Sequence, residues 1–143
     1  MIVAFCGHRE VQDVDAVCTW LHDVIEQLIL EGADMFYFGG KGNFDALAAG
    51  EVMKFKAAYP ALRSTLVQAY MDQEKLPWLH DDSVYPPLET VPRRFAMHHR
   101  DRWMVQQADT VVTYAVYSWG NAMRVMEYAQ RQGKRVLNYD AGA

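Results

Sequence analysis

Met35-Phe36-Tyr37-Phe38-Gly39-Gly40-Lys41-Gly42-Asn43-Phe44-Asp45 is the stretch on which the fold turns. Four consecutive apolar residues have the form of a strand buried on both faces, and the glycines stop it. Phe44, Leu47, Ala48, Val52 and Phe55 then recur at the spacing of a helix that ends before Pro60. Glycine lets backbone amides approach an anion, and a helix N-terminus offers unpaired N–H groups with partial positive charge. The turn is therefore either a tight connection or one wall of a phosphate site. Two further glycine runs occupy equivalent places. Cys6-Gly7-His8-Arg9 follows the apolar run Ile2 to Cys6, and Ser118-Trp119-Gly120-Asn121 lies between an apolar run and a helical pattern.

Outward from these runs the chain alternates. Val14, Val17, Cys18, Leu21, Ile25, Leu28 and Ile29 mark a helix between the first two strands, with Asp13 as expected N-cap and Gly32 as stop. Ser64 to Tyr70 reads as a third strand. Residues 71 to 92, with Pro77, Pro86, Pro87 and Pro92, read as a long ordered loop. A helix from about Pro92 to Ala108, a strand from Thr110 to Ala115, a helix from Asn121 to Gln132 and a strand from Arg135 to Tyr139 complete the series. This alternation predicts an α/β, Rossmann-like three-layer sandwich: a five-stranded parallel sheet in the order 3-2-1-4-5 with helices on both faces. Ligands in such sheets bind beyond the carboxyl ends of the strands, where all three glycine runs converge.

Composition narrows the partners. At 143 residues the chain is expected to form a single domain, 1–143. A net charge of -4 and a pI of about 5.7 predict no nucleic-acid groove. Cys6 and Cys18 form no metal spacing and are read as buried thiols of a cytoplasmic protein. The opening Met1 to Cys6 lacks the basic start of a targeting segment, and no run is long enough to span a membrane.

The glycine spacings exclude two familiar phosphate loops. No Gly-Lys-Ser/Thr follows Gly39, as a Walker A loop requires, and Asp45 stands where the dinucleotide fingerprint needs its third glycine. Asn43 or Asp45 is left to cap the helix or to contact a ribose. His8 and Arg9 are read as ligand contacts or as a structural pair. His98 and His99 point about 100° apart on a helix, so no metal is expected there. Arg100 and Asp101 share the face of Met97, Met104 and Ala108, and a charge on that face needs a partner, either another carboxylate or an anionic ligand. Trp103 is read as core, and Trp119, beside a glycine turn, as a surface on which a base stacks.

These residues together resemble the SLOG superfamily of Rossmann-like nucleotide-ligand proteins, which includes the LOG phosphoribohydrolases. The resemblance is greatest to its bacterial YpsA-like members. It rests on Phe5-Cys6-Gly7-His8-Arg9, Phe38 to Asp45, Tyr85-Pro86-Pro87-Leu88-Glu89, Arg100 to Val105, and Ser118-Trp119-Gly120-Asn121-Ala122. It implies a nucleotide-derived ligand and a homodimer. Gly7, His8, Arg9, Gly39, Gly40, Gly42, Asn43, Phe44, Asp45, Ser118, Trp119, Gly120 and Asn121 are the candidate ligand residues, with no cofactor expected. Met97-His98-His99-Arg100-Asp101-Arg102-Trp103-Met104 reproduces the LOG pattern Met-His-x-Arg-x-x-x-Met, and Arg100 matches its catalytic arginine. The second LOG signature, Gly-Gly-x-Gly-Thr-x-x-Glu, is not kept, because Asn121 and Arg124 replace its threonine and glutamate. Cleaving an N-glycosidic bond calls for a carboxylate beside the oxocarbenium-like centre. The first expectation is therefore binding or sensing of AMP, ADP-ribose or a NAD-like molecule. The alternative is a phosphoribohydrolase-type enzyme, with Arg100 and with Asp45 or Glu127 as its acid.

Overall fold

The computed structural model describes residues 1–140. Its sheet is built on β1 (Ile2–Gly7), which pairs in parallel with β2 (Met35–Phe38) on one side and with β5 (Thr110–Tyr114) on the other. β2 pairs with β3 (Arg63–Val67), and β5 with β6 (Arg135–Asn138), again in parallel. These five strands stand in the expected order. A sixth, β4 (Asp82–Val84), adds to the outer edge of β3, so the full order is β4-β3-β2-β1-β5-β6.

The sixth strand corrects the reading of residues 71 to 92 as loop alone. Three residues, the first charged and the run followed by prolines, carry no apolar alternation to reveal a strand. Polar contacts from β3 hold it instead. The Arg63 guanidinium forks onto the Asp82 carboxylate, with Nη2 2.7 Å from both oxygens, and Ser64 N–H donates to Asp81 Oδ2 at 2.8 Å. Ser64 Oγ and His80 Nδ1 lie 2.9 Å apart inside the fold, where burial lowers the His80 pKa and keeps the ring neutral.

The helices form the outer layers. α1 (Val14–Leu30) and α2 (Gly42–Phe55) cover one face, where Val17, Leu21, Ile25 and Leu28 meet Phe5, Phe36 and Phe38. α3 (Ala96–Gln107), entered through a 3-10 turn at Arg93–Phe95, and α4 (Asn121–Arg131) cover the other, with Met104, Val105, Val125 and Ala129 against Ala4, Val67 and Val111. Trp103 stacks on Tyr37 at 5.8 Å, a packing role. Asp13 stands at the expected N-cap of α1, where its carbonyl accepts from Val17 N–H, but it takes φ 52° and its side chain makes no capping bond. β1 has neighbours reached by connections running in opposite directions, so the crevice at its carboxyl end opens between the β1, β2 and β5 turns. No helix among the described residues is long and apolar enough to cross a membrane.

Candidate functional site

A cavity of about 740 Å³ lies at this switch point. The end of β1 contributes Cys6, Gly7, His8, Arg9 and Glu10. The β2–α2 turn contributes Gly39, Lys41 and Asp45, and the entry and first turns of α3 contribute Arg94, Met97, His98, Arg100 and Asp101. The β5–α4 turn closes the circle with Tyr117, Trp119, Gly120, Asn121 and Arg124. Nine of the residues singled out from sequence are thus gathered here: Gly7, His8, Arg9, Gly39, Asp45, Arg100, Trp119, Gly120 and Asn121. Gly40, Gly42, Asn43, Phe44 and Ser118 lie outside the lining, and Glu127 faces an adjoining hollow.

The glycines of the first two runs have packing reasons of their own. A Cβ on Gly7 would sit 2.5 Å from the Phe44 ring, and one on Gly39 would sit 2.8 Å from the Arg100 guanidinium carbon. Gly40, at φ +76°, leaves room for Leu66, and Gly42, at φ +84°, lets the Arg9 backbone pass. Asn43 N–H donates to Arg9 O at 2.8 Å across this contact. Phe44 is fully buried and stacks on Tyr114.

Asp45 occupies the amides of its own turn. Its Oδ2 accepts from Gly39 N–H and Gly40 N–H, both at 3.1 Å, so neither amide is open to a phosphate. The second oxygen takes no bond among the described residues, and no buried side-chain oxygen there is left unsatisfied, so Oδ1 looks into the cavity. Burial, reinforced by the negative charge of Asp101, raises the Asp45 pKa to about 7 against the pull of Arg100 and the two amides. Burial likewise pushes up the Cys6 thiol, with Asp101 and Asp45 adding to the effect, so it stands neutral in the wall.

Arg100 is a strut between elements. Its Nε donates to Asp101 Oδ1 at 2.7 Å, and its Nη1 donates to Gly39 O at 2.8 Å and Val67 O at 3.0 Å. The carboxylate partner allowed by the sequence is therefore Asp101, its immediate neighbour. Asn121 Nδ2 donates to Asp101 Oδ2 at 2.9 Å, carrying the chain of bonds from the ends of β2 and β3 through α3 to the start of α4. Such a buried charge pair tolerates no loss of one partner.

The β5–α4 turn is open. Gly120, at φ +97°, starts α4, and no side chain caps the helix. The first amides of a helix have no partner within it, and they carry its positive dipole end. A Cβ on Gly120 would meet nothing nearer than the His8 ring at 3.6 Å. Beside this end Tyr117 and Trp119 stack at 4.9 Å and 8°, with Trp119 67% exposed. His8 supports the pair from below: its Nε2 accepts from Val116 N–H at 3.2 Å, its ring lies 4.7 Å from Tyr117, and burial lowers its pKa.

Glu10, Lys41, Arg94, Tyr117 and Arg124 also line the cavity and were not singled out as site residues. Arg124 had a legible signal, since it follows Gly120 by four residues and so returns to the same side of the helix. Arg94 had none, because its direction depends on the 3-10 turn. His98 reaches the cavity and His99 does not. Among the described residues no group of three or more metal-ligating side chains comes together.

No family model and no curated protein sequence matches the chain. Solved structures resemble it in fold. The X-ray structure of TM1055 superposes with a TM-score of 0.63 at 16% identity, over 94% of this chain and 71% of that one. DNA processing protein A from Helicobacter pylori, described for its single-stranded DNA binding mode, gives 0.68 at 17% identity, over 99% and 67%. DNA processing protein A from Streptococcus pneumoniae gives 0.70 at 16% identity, over 98% and 50%. At these identities the likeness is one of fold, a Rossmann-like α/β domain built on a parallel sheet. It does not single out YpsA-like proteins.

Proposed function

We propose that the protein binds a nucleotide or nucleotide derivative in the strand-end cavity. The observation that carries this reading is the meeting, in one cavity, of the uncapped α4 N-terminus with the stacked Tyr117–Trp119 pair. Free amides and a helix dipole receive a phosphate. Arg9, Lys41, Arg94 and Arg124 supply positive charge around it, and the exposed indole receives a base. Asp45 Oδ1, aimed into the same space, accepts from a ribose hydroxyl when ionised and donates when protonated.

Titration calorimetry with AMP, ADP-ribose and NAD tests this. At least one binds the wild type, and Trp119→Ala weakens it by about 30-fold, roughly 2 kcal/mol, without lowering the melting temperature. Absence of binding by all three, or equal binding by the variant, rejects the reading. A cytoplasmic homodimer belongs to the same proposal and is checked by sedimentation and fractionation.

Asp45 supports a second, enzymatic reading. A carboxyl with a pKa of about 7 and one oxygen in the cavity is suited to general acid–base work near neutrality. The reaction would be hydrolysis of an N-glycosidic bond, with Asp45 protonating the leaving base. Chromatography of nucleotide digests decides it: free base or ribose phosphate above a heat-killed control supports hydrolysis, and none leaves binding alone.

A further inference from the structure

A hollow of about 170 Å³ between α3 and α4 adjoins the main cavity and shares His98, Asp101, Asn121 and Arg124 with it. Beyond the shared residues it is lined by Arg102, Val125, Glu127, Tyr128 and Arg131. Asn121, Arg124, Tyr128 and Arg131 follow one another at three- and four-residue intervals, so they form one stripe along α4. Arg124 and Arg131 are seven residues apart, about 10 Å along the axis. Arg102 faces the stripe from α3 with its guanidinium over the Tyr128 ring at 5.1 Å. Asp101 adds little free negative charge, because both its oxygens are engaged by Arg100 and Asn121. Glu127 is the remaining carboxylate. Among the described residues none of Arg102, Arg124 and Arg131 forms an ion pair. Three guanidinium groups without a carboxylate partner thus surround one hollow beside the single carboxylate of Glu127, in a chain of net charge -4.

We propose that this hollow is a second anion subsite, so that the ligand carries two phosphates separated by about one nucleoside: the first at the α4 N-terminus and the second between Arg102 and Arg131. This rests on the nucleotide-binding reading above and specifies its ligand class. A stripe of arginines over about 10 Å is too long for the two adjacent phosphates of a diphosphate and suits a phosphodiester-linked chain. Such a chain has two sources, a free dinucleotide or the end of a single strand.

Calorimetry with AMP, the 5′-phosphorylated dinucleotide pApA and the hexanucleotide (pA)6 separates them. The wild type binds pApA at least 10-fold more tightly than AMP, and the double variant Arg102→Gln/Arg131→Gln removes that advantage while leaving AMP affinity unchanged. Both residues are exposed, and circular dichroism and melting confirm that the variant folds. If (pA)6 binds more tightly still, the occupant is a strand; if it equals pApA, a dinucleotide. Equal binding of AMP and pApA, or an advantage that survives in the double variant, overturns the second subsite while leaving the nucleotide site intact. Binding of none of the three overturns both.

Discussion

Two turns of the same description, β2–α2 and β5–α4, end strands on either side of β1 and start helices on opposite faces of the sheet. The first is closed on itself. Asp45 holds the Gly39 and Gly40 amides, Arg100 fills the space above Gly39, and the Arg9 backbone fills the space at Gly42. The second is open, with an uncapped helix and room beside Gly120. A glycine run before a helix therefore identifies where amides are exposed locally, and tertiary contacts settle whether they stay so.

The largest test of this contrast is Gly42→Val. A side chain there combines positive φ with a Cβ 2.7 Å from the Arg9 Cα, so the expected loss is about 4 kcal/mol, read by urea denaturation. A loss under about 1 kcal/mol would mean that the turn is not closed by backbone packing, and the contrast would fail.

Asp45→Asn gives the next effect, and its sign depends on pH. The native pKa of about 7 exceeds the usual 3.8, so between these values the folded protein holds a proton that the unfolded chain has released. Wild-type stability accordingly falls as pH rises from about 4 to about 7 through this group, then levels off. The asparagine variant lacks that fall. It gains up to about 4 kcal/mol relative to wild type at pH 8, and the gain shrinks toward pH 4. Denaturation at the two pH values checks it; a gain independent of pH would show that Asp45 is not the buried carboxyl described.

Gly120→Ala is the smallest. Its φ of +97° imposes strain, but the methyl group meets only open space and the His8 ring, so about 1 kcal/mol is expected. A loss equal to that at Gly42 would erase the difference between the turns.

The strand and helix order could be read because each element announces itself locally. Met35 to Phe38 shows an uninterrupted apolar run, and Leu21, Ile25 and Leu28 show a helical stripe. β4 could not, since polar contacts hold it, the Arg63 fork on Asp82 and the Ser64 amide on Asp81, and these leave no apolar pattern in the sequence. The inward charge at Arg100 was legible from its helical face, whereas its two carbonyl acceptors, Gly39 and Val67, were not.

Sequence alone determined the parallel α/β order, the position of β1 at the centre and the convergence of three glycine runs at one end of the sheet, because hydrophobic periodicity and chain handedness are local properties. Only the tertiary structure decided which amides are free, which glycines serve packing, and how Arg124 and Arg131 come to face Arg102. These depend on side chains brought together across long separations, such as the 61 residues between Arg100 and Gly39. No pattern along the chain records which of several possible partners reaches a buried donor first.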